Sequence, residues 1–519
     1  MVKKTTIARI LILLLSFWAG GAAAQEKAKP MTLEDCLVRA MEKNLGLQVQ
    51  VRNPELADLA ISRAGEKFLP SLQFQYGKRN NRSASFSLIE SSSSNSYSYG
   101  TSVSQLLPTG GILQASLSTG MTDTNTKFQT INPYFSSSLV FSFNQPLLRN
   151  FGLNISRREI LIAQNNREIS DQTYKKAVIE TVYAVEEAYW NLVFSIENLK
   201  VMQKSLRLAD DFLERNRKEL AIGMIAPIEV LTAESEAASR RADILQAEVL
   251  VKNREDGLRT LLNFAAKGDE ENLPIVPADV PTVEKREVSM DSALALALAG
   301  RPELQSARLD LKNKDIDLTY SRNQLLPELS LQTNYWSPAV SGTQILYQND
   351  DPLSGVIIGT IPGGSSQAMK DAFKFKYKNW SINLTLSVPL NTVFSRAMVS
   401  QAKVSLEQAR LSADEVQQNI FLEVRNAVRD VENNAKRVEA YRAATKLAEG
   451  KLDAEERKAK AGLSTNYTVL LIQRDLAIAQ SRELQARIDF VLSQARLDRA
   501  TGASLERRNI KLQKQEKSA

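Results

Sequence analysis

Residues 153–222 read LNISRREILIAQNNREISDQTYKKAVIETVYAVEEAYWNLVFSIENLKVMQKSLRLADDFLERNRKELAI, about seventy residues without a glycine or a proline. Those two residue types end or kink helices, costing about 1 and 3 kcal/mol respectively inside one. The run therefore predicts a single helix, roughly 100 Å long at ~1.5 Å per residue. Within it Val178, Val182, Val185, Tyr189, Leu192, Ile196 and Leu199 keep an unbroken 4-3 spacing, the seam of a coiled coil. Past Leu199 the frame either meets Gln203 and Asp210 or slips to Met202, Leu206, Ala209 and Leu213. Ile179 and Val193 lie off the seam, which calls for more than one neighbour, and a polar face persists throughout. An antiparallel coiled coil with one solvated face fits this pattern as well as a water-lined tube does.

A second Gly/Pro-free run covers 390–449. Each run follows a strand-like segment and turns back at a glycine, Gly223 or Gly462. Self-comparison extends the parallel. Leu33–Leu37 lies over Met290–Leu294, and Phe68-Leu69-Pro70-Ser71-Leu72 over Leu325-Leu326-Pro327-Glu328-Leu329, both at an offset of 257 (290 − 33, 327 − 70). Gln145-Pro146-Leu147 and Val388-Pro389-Leu390 follow at 243, and the two glycine turns at 239 (462 − 223). Four ordered landmarks at slowly shrinking offsets predict an internal duplication. The first repeat spans 25–275, with strands near 70–78 and 137–147, a long helix over 153–222 and a return helix over 227–263. The second spans 276–505, with strands near 327–336 and 379–390 and helices over 393–461 and 465–501.

The strands rest on alternation. Trp380, Ile382, Leu384, Leu386 and Val388 share one face, and Ser381, Asn383, Thr385 and Ser387 the other. Leu139, Phe141 and Phe143 alternate with Val140, Ser142 and Asn144, and Leu72, Phe74 and Tyr76 with Gln73 and Gln75. Apolar on one side and small-polar on the other suits a barrel strand between lipid and water; an antiparallel sheet on a soluble core reads the same way. Residues 79–100, rich in Ser and Asn, read as a polar loop, and 337–372 as another. Tyr99–Thr119 reads as a hairpin turning at Pro108–Gly111, inside the barrel or in an extracellular loop. The alternation of Phe373, Phe375 and Tyr377 with lysines slips before Trp380, which predicts a bulge or a strand start there.

Lys3, Lys4 and Arg9, then the apolar Ile10–Trp18, then Ala22-Ala23-Ala24 before Gln25 make a signal peptide over 1–24. The alternative is an uncleaved anchor. No later apolar stretch approaches the 18 residues of a membrane helix, so a membrane role falls to the strands. Cys36 can form no internal disulfide and fits the apolar face of Leu33, Cys36, Leu37 and Ala40. The net charge of +7, from 66 Lys+Arg and 59 Asp+Glu, is diffuse. Arg507, Arg508, Lys511, Lys514 and Lys517 in the tail 506–519 read as a solvated basic end, with no nucleic-acid partner expected. Histidine is absent, removing the commonest general base and metal ligand; no enzyme activity, cofactor or metal is expected.

Lipid-exposed strands must close into barrels, the smallest of about eight strands. Four strands per chain, or six with the hairpin, require several copies. A homotrimer is the simplest closure, and it would gather the helices into a twelve-helix tube continuous with the barrel. The predicted fold class is thus a mixed α/β membrane protein, mainly long helices forming an α-barrel, with strands contributing to a trimeric transmembrane β-barrel.

The duplicated Leu-Pro-x-Leu segments (Leu69–Leu72, Leu326–Leu329), Asn144–Gly152, and the paired turns Ile222–Val230 and Ala461–Val469 resemble the TolC-like outer-membrane factor family across the mature chain. The resemblance implies a homotrimeric channel in the outer membrane, extending into the periplasm. It would pass substrates from an inner-membrane pump through a periplasmic adaptor, for efflux or for type I protein secretion. It also implies that Gly223, Met224, Ile225, Gly462, Leu463 and Ser464 are adaptor-docking tips. Independently, apolar Met224, Ile225 and Leu463 in a turn call for something docked on them; packing on neighbouring tips is the alternative. Some relatives carry two aspartates after the second tip, where this chain has Thr468 and Leu471. Glu229 and Asp475 are the remaining candidates for entrance charges, since threefold symmetry turns one inward charge into a ring. A non-conducting periplasmic tether or adhesin is the structural alternative.

Overall fold

The computed structural model describes residues 29–84, 92–126, 129–264, 274–284 and 288–511. The expected signal segment 1–24, with its cleavage point near Ala24-Gln25, lies outside them, as do Lys514 and Lys517. The described chain falls into two compact units, one from Arg52–Thr173 and Glu303–Val416, the other from the rest.

One element order occurs twice. Helices α1 (Leu33–Lys43) and α2 (Leu45–Glu66) have 11 and 22 residues, as do α5 (Met290–Gly300) and α6 (Pro302–Asn323). Strands follow each pair, and then come long helices α3 (Arg158–Ala221) and α8 (Val393–Lys460) with return helices α4 (Pro227–Leu261) and α9 (Asn466–Thr501). α3 holds neither Gly nor Pro across its 64 residues, and α8 holds no Pro and the single Gly450 across its 68, so neither long helix is broken.

In the sheet-bearing unit, β1 (Ser71–Arg82), β2 (Ser93–Leu106), β3 (Ile112–Thr124), β4 (Ile131–Pro146) and β5 (Glu328–Tyr347) pair antiparallel in that order. Both β6 (Ile357–Ile361) and β7 (Asn379–Ser387) pair with the far edge of β5, β6 along 344–347 and β7 along 328–336. The hairpin turning at Pro108–Gly111 is therefore two full members of the sheet. Its turn closes with Gly110 at φ +92° and Leu107 N–H donating to Gly111 O at 2.7 Å.

Two loop readings are corrected. Much of 79–100 is strand: Ser94, Ser96, Ser98 and Gly100 occupy alternate positions of β2 opposite Tyr97 and Tyr99. Small polar residues that break a buried strand are tolerated on a face turned to water. Residues 337–372 contain the second half of β5, then β6 and a helix, α7 (Ser365–Phe373). Pro338 is tolerated within β5 because neither β6 nor β7 pairs with the stretch between 336 and 344. Of the two readings before Trp380, the strand start is the one found: Phe373 ends α7, Phe375 takes φ 49° in the turn, and β7 starts at Asn379.

Register sorts the side chains. Leu72, Val103, Ala115, Phe141, Tyr335 and Trp380 align across six strands, so they share one face, with Ile382, Leu384 and Leu386 beside them. Ser71, Ser104, Gln114, Ser142, Asn334 and Ser381 form the adjacent row on the other face. The apolar face has no core against it at either edge: Leu72, Phe74 and Tyr76 in β1 are 56–73% exposed, and Trp380, Ile382, Leu384 and Leu386 in β7 61–71%.

The junction segments singled out in the sequence meet where strands pass into helices. Leu147 N–H donates to Leu329 O at 2.7 Å, Asn150 N–H to Asn323 Oδ1 at 2.7 Å, and Gln324 Nε2 to Asn150 Oδ1 at 2.7 Å. Just beyond, Arg158 pairs with Asp317 at 2.7 Å and lies 4.4 Å over the Tyr320 ring. Asn165 and Asn313 hydrogen bond in a buried position at 2.7 Å.

The other unit is helical. Its core gathers Val178, Val182, Val185, Tyr189 and Leu192, all at most 1% exposed, with off-seam Ile179 and Val193 also buried. Cys36 lies in the same core with Leu33, Leu37 and Ala40, and burial pushes its thiol up to about 12, which makes it inert. A parallel ladder joins Lys29–Met31 to Ile275–Pro277. Tyr189 Oη donates to Asp279 Oδ2 at 2.9 Å, and burial pushes its phenol up. The basic tail is corrected at its start: Arg508 Nε donates to Glu186 Oε1 at 2.5 Å and Arg507 pairs with Asp498 at 3.1 Å, so neither is simply solvated.

Candidate functional site: the helix tips

Both long helices end in the same backbone device. Gly223 N–H donates to Leu220 O and Met224 N–H to Glu219 O, each at 2.9 Å; Gly462 N–H donates to Ala459 O at 3.0 Å and Leu463 N–H to Lys458 O at 2.9 Å. These are the paired bonds of a Schellman cap, with glycine in the left-handed region at φ +75° and +74°. Such caps usually bury the residue after the glycine against an apolar residue of the last turn. Here the last turns offer Lys218 and Glu219, or Arg457 and Lys458. Met224 and Leu463 are accordingly left 72% and 79% exposed, and Ile222, which the sequence reading passed over, 71%.

The tips differ in how they restart. At the first, Ala226 caps α4 without a side chain and Pro227 opens the helix, while Ile225 is half-buried. At the second, Thr465 Oγ1 accepts from Thr468 N–H at 3.3 Å, so Thr468 is spent on the cap. Ser464 Oγ donates to Glu455, and that hydrogen bond holds the Glu455 carboxyl below its usual value.

Glu229, half-buried, sits in the first turn of α4, where its charge suits the helix dipole. Its carbonyl accepts from the fully buried Asn216 at 3.4 Å. Asp475 is exposed on α9, and no hydrogen bond or ion pair ties it to Glu229. Two further features escaped sequence reading. Asn466 Nδ2 donates to Asn216 Oδ1 at 3.2 Å and to Glu219 at 3.3 Å, bridging the start of α9 to the end of α3. Behind the first tip Arg240, 6% exposed, donates to Ser205 O and Oγ at 2.9 and 3.1 Å, to Leu470 O at 3.3 Å, and pairs with Glu236 at 3.0 Å. One guanidinium thus ties α3, α4 and α9, beside an apolar cluster of Ala209, Phe212, Leu213, Ala233, Ala237 and Leu470. The presence of Ala209 and Leu213 there resolves the seam past Leu199 in favour of the slipped frame. The pattern Ala233–Ala237–Arg240–Ala247 follows seam spacing, a signal that could have exposed the arginine.

No group of His, Cys, Asp or Glu able to hold a metal occurs among the described residues, and no helix there is long and apolar enough to cross a membrane. A sheet whose apolar face stays exposed along both edge strands, together with long helical hairpins, defines a class: β-strand membrane proteins carrying helical extensions. The sequence profile of the outer membrane efflux protein family matches residues 113–263 and 293–503, well over half of the chain, and the chain belongs to that family. It is an outer-membrane channel component of an export system and not an enzyme. Curated relatives include the outer membrane efflux protein BepC of Brucella suis, 23% identical over 69% of this chain and 70% of that protein. The alkaline protease secretion protein AprF of Pseudomonas aeruginosa is 22% identical over 72% of each. Among solved structures, the Campylobacter jejuni CmeC outer membrane channel aligns at TM-score 0.64 and 15% identity, covering 91% of this chain and 86% of that one. The open-state MtrE channel of Neisseria gonorrhoeae aligns at 0.63 and 19%, covering 92% and 90%.

Proposed function

We propose that three copies of this chain close one transmembrane barrel and one helical tunnel, forming a passive duct through which a periplasmic adaptor and an inner-membrane pump export their cargo. The observation that carries this reading is the apolar sheet face left exposed along the edge strands β1 and β7, unexplained for a sheet in water. Two free edges, β1 and β7, demand completion by other copies. Register supports a barrel. Ser71 at the start of β1 aligns, through five strand steps, with Ser381, six residues short of the β7 end at Ser387. A stagger of about 1.2 residues per strand at ~3.3 Å rise and ~4.8 Å spacing gives a tilt of about 40°, inside the ~35–45° range of membrane barrels. Six strands per chain around the circumference make about eighteen in a trimer, a size that leaves an aqueous channel.

Three copies of α3, α4, α8 and α9 line the tunnel, and the adaptor docks on Gly223, Met224, Ile225, Gly462, Leu463 and Ser464. Glu229 and Asp475 supply whatever charge the entrance carries. Efflux of small compounds and secretion of proteins remain the two cargo classes, as the names of BepC and AprF illustrate. Opening is a packing shift at the tips. The purified full chain should run as a trimer in detergent and conduct in planar bilayers; a monodisperse monomer, or a trimer that never conducts with or without partners, would refute the duct.

A further inference from the structure

Between β6 and β7 the chain leaves the sheet edge and α7 crosses the apolar face over β3, β4 and β5. The strip beneath it is made of small residues, and both surfaces close on each other: Ala368 and Ala372 are fully buried, as are Ser137 at 2% and Ala339 at 3% exposure. Phe375 then stacks on Tyr335 and Phe141, with centroids 5.2 and 6.3 Å apart, pinning the turn that leads into β7. Away from the sheet this segment presents Lys370, Lys374, Lys376 and Lys378, all exposed. Lys376 pairs with Asp371 at 3.2 Å. Between the lysines stand Phe373 and Tyr377, 53% and 55% exposed, with Trp380 at 71% directly after.

Aromatic rings alternating with lysines on a lipid-facing surface match the boundary between acyl chains and headgroups. Rings settle at headgroup depth, and lysine stems lie along apolar surface while the ammonium groups reach outward. The segment leads into Asn379, the end of β7 opposite the one that continues into α8, so it belongs to the external rim when the helices are periplasmic. We infer that α7 and the turn Lys374–Lys378 form an in-plane anchor for the phosphate-bearing lipid headgroups of the outer leaflet. Charge complementarity carries the choice of occupant: four cations against one carboxylate, on a face otherwise suited only to lipid. The inference rests on the lipid-facing assignment of that face in the proposed duct.

The test uses the purified full chain in neutral detergent and measures binding of fluorescent lipid A, a phosphorylated outer-leaflet glycolipid, against phosphatidylcholine. Each exposed lysine near an anionic surface contributes about a fivefold effect at most. The triple variant Lys370→Gln/Lys374→Gln/Lys378→Gln should therefore bind lipid A at least about tenfold more weakly, the loss shrinking as salt rises. Replacement of the same three lysines by Arg should preserve binding. Trimer mass and conductance should stay at the wild-type level in both variants, which separates this outcome from failure of the duct itself. Undiminished lipid A binding by the Gln triple would overturn the inference. So would an equal loss on Lys403→Gln/Lys436→Gln/Lys446→Gln in α8, which would mean unspecific basicity. Full displacement by inorganic phosphate at matched concentration would mean a bare anion site and would also overturn it.

Discussion

Replacing Arg240 by Ala should loosen the first hairpin from α9 without unfolding the rest of the helical unit. The side chain is 6% exposed and serves three helices through bonds to Ser205, Leu470 and Glu236. Each charge-assisted hydrogen bond contributes about 1.5–3 kcal/mol, but the three share one cation and do not add. Breaking a buried ion pair by removing one partner costs about 3–5 kcal/mol, which sets the scale. Because Ser205 O and Leu470 O also sit in helices, the low end applies, about 3 kcal/mol. Amide hydrogen exchange on the full chain reads such local opening directly. At about 3 kcal/mol, protection around 228–241 and 468–473 should fall roughly 150-fold. Amides of α1 and α5, whose buried Cys36 and Ala297 pack elsewhere in the unit, should be unaffected. Arg240→Lys, keeping one charge and losing the fork, should fall between. Protection changed less than threefold in Arg240→Ala would refute the idea that this cation holds the hairpin.

Other consequences follow from the tips and the tail. Met224→Asp with Leu463→Asp should abolish cross-linking to the adaptor while trimers persist; undiminished cross-linking would remove the docking role. Gly223→Ala meets no atom within 4 Å, so its cost is backbone strain alone, about 1–2 kcal/mol, and Gly223→Asn should cost less; equal stabilities would contradict the left-handed cap. Burial raises the Glu186 carboxyl above its ordinary 4.5, against the lowering effect of Arg508. A raised folded-state value means the native form binds the extra proton, so this group's contribution is greatest below pH 4.5 and is lost as pH rises through the folded value. The thermal midpoint of the wild type relative to Glu186→Gln should accordingly climb as pH falls from 7 toward 4.5, and parallel profiles would rule this out.

Much of this architecture is legible in the sequence because it rests on local signals. Absence of Gly and Pro marks α3 and most of α8, period-two alternation assigns Trp380–Leu386 to one face, and Gly223 and Gly462 mark the reversals. Where composition stood in for periodicity, the reading failed. The Ser/Asn composition of Ser94–Ser98 points to a loop, although a strand with one polar face accepts serine at every second position. The lysine alternation of 373–378 mimicked a strand, yet it spans a helix end and a turn. At the tips, Met224 and Leu463 were legible as exposed apolar residues in turns. The Asn216–Asn466 bridge was not, since its partners stand 250 residues apart and neither amide carries a local signature. Arg240 lay between: its seam spacing was readable, but only the fold supplies the three acceptors that make a buried cation tolerable.

The claim that copies of the chain seal one another's edges is tested most directly by cysteine pairs placed on the water-lined face of β1 and β7. Gln73→Cys or Gln75→Cys would be combined with Ser381→Cys, Asn383→Cys or Thr385→Cys, the buried Cys36 replaced by Ser, and the protein oxidised in native outer membranes. At least one pairing should give a covalent ladder that ends at three chains and collapses on reduction. Monomers in every combination, or a ladder that stops at two, would contradict it.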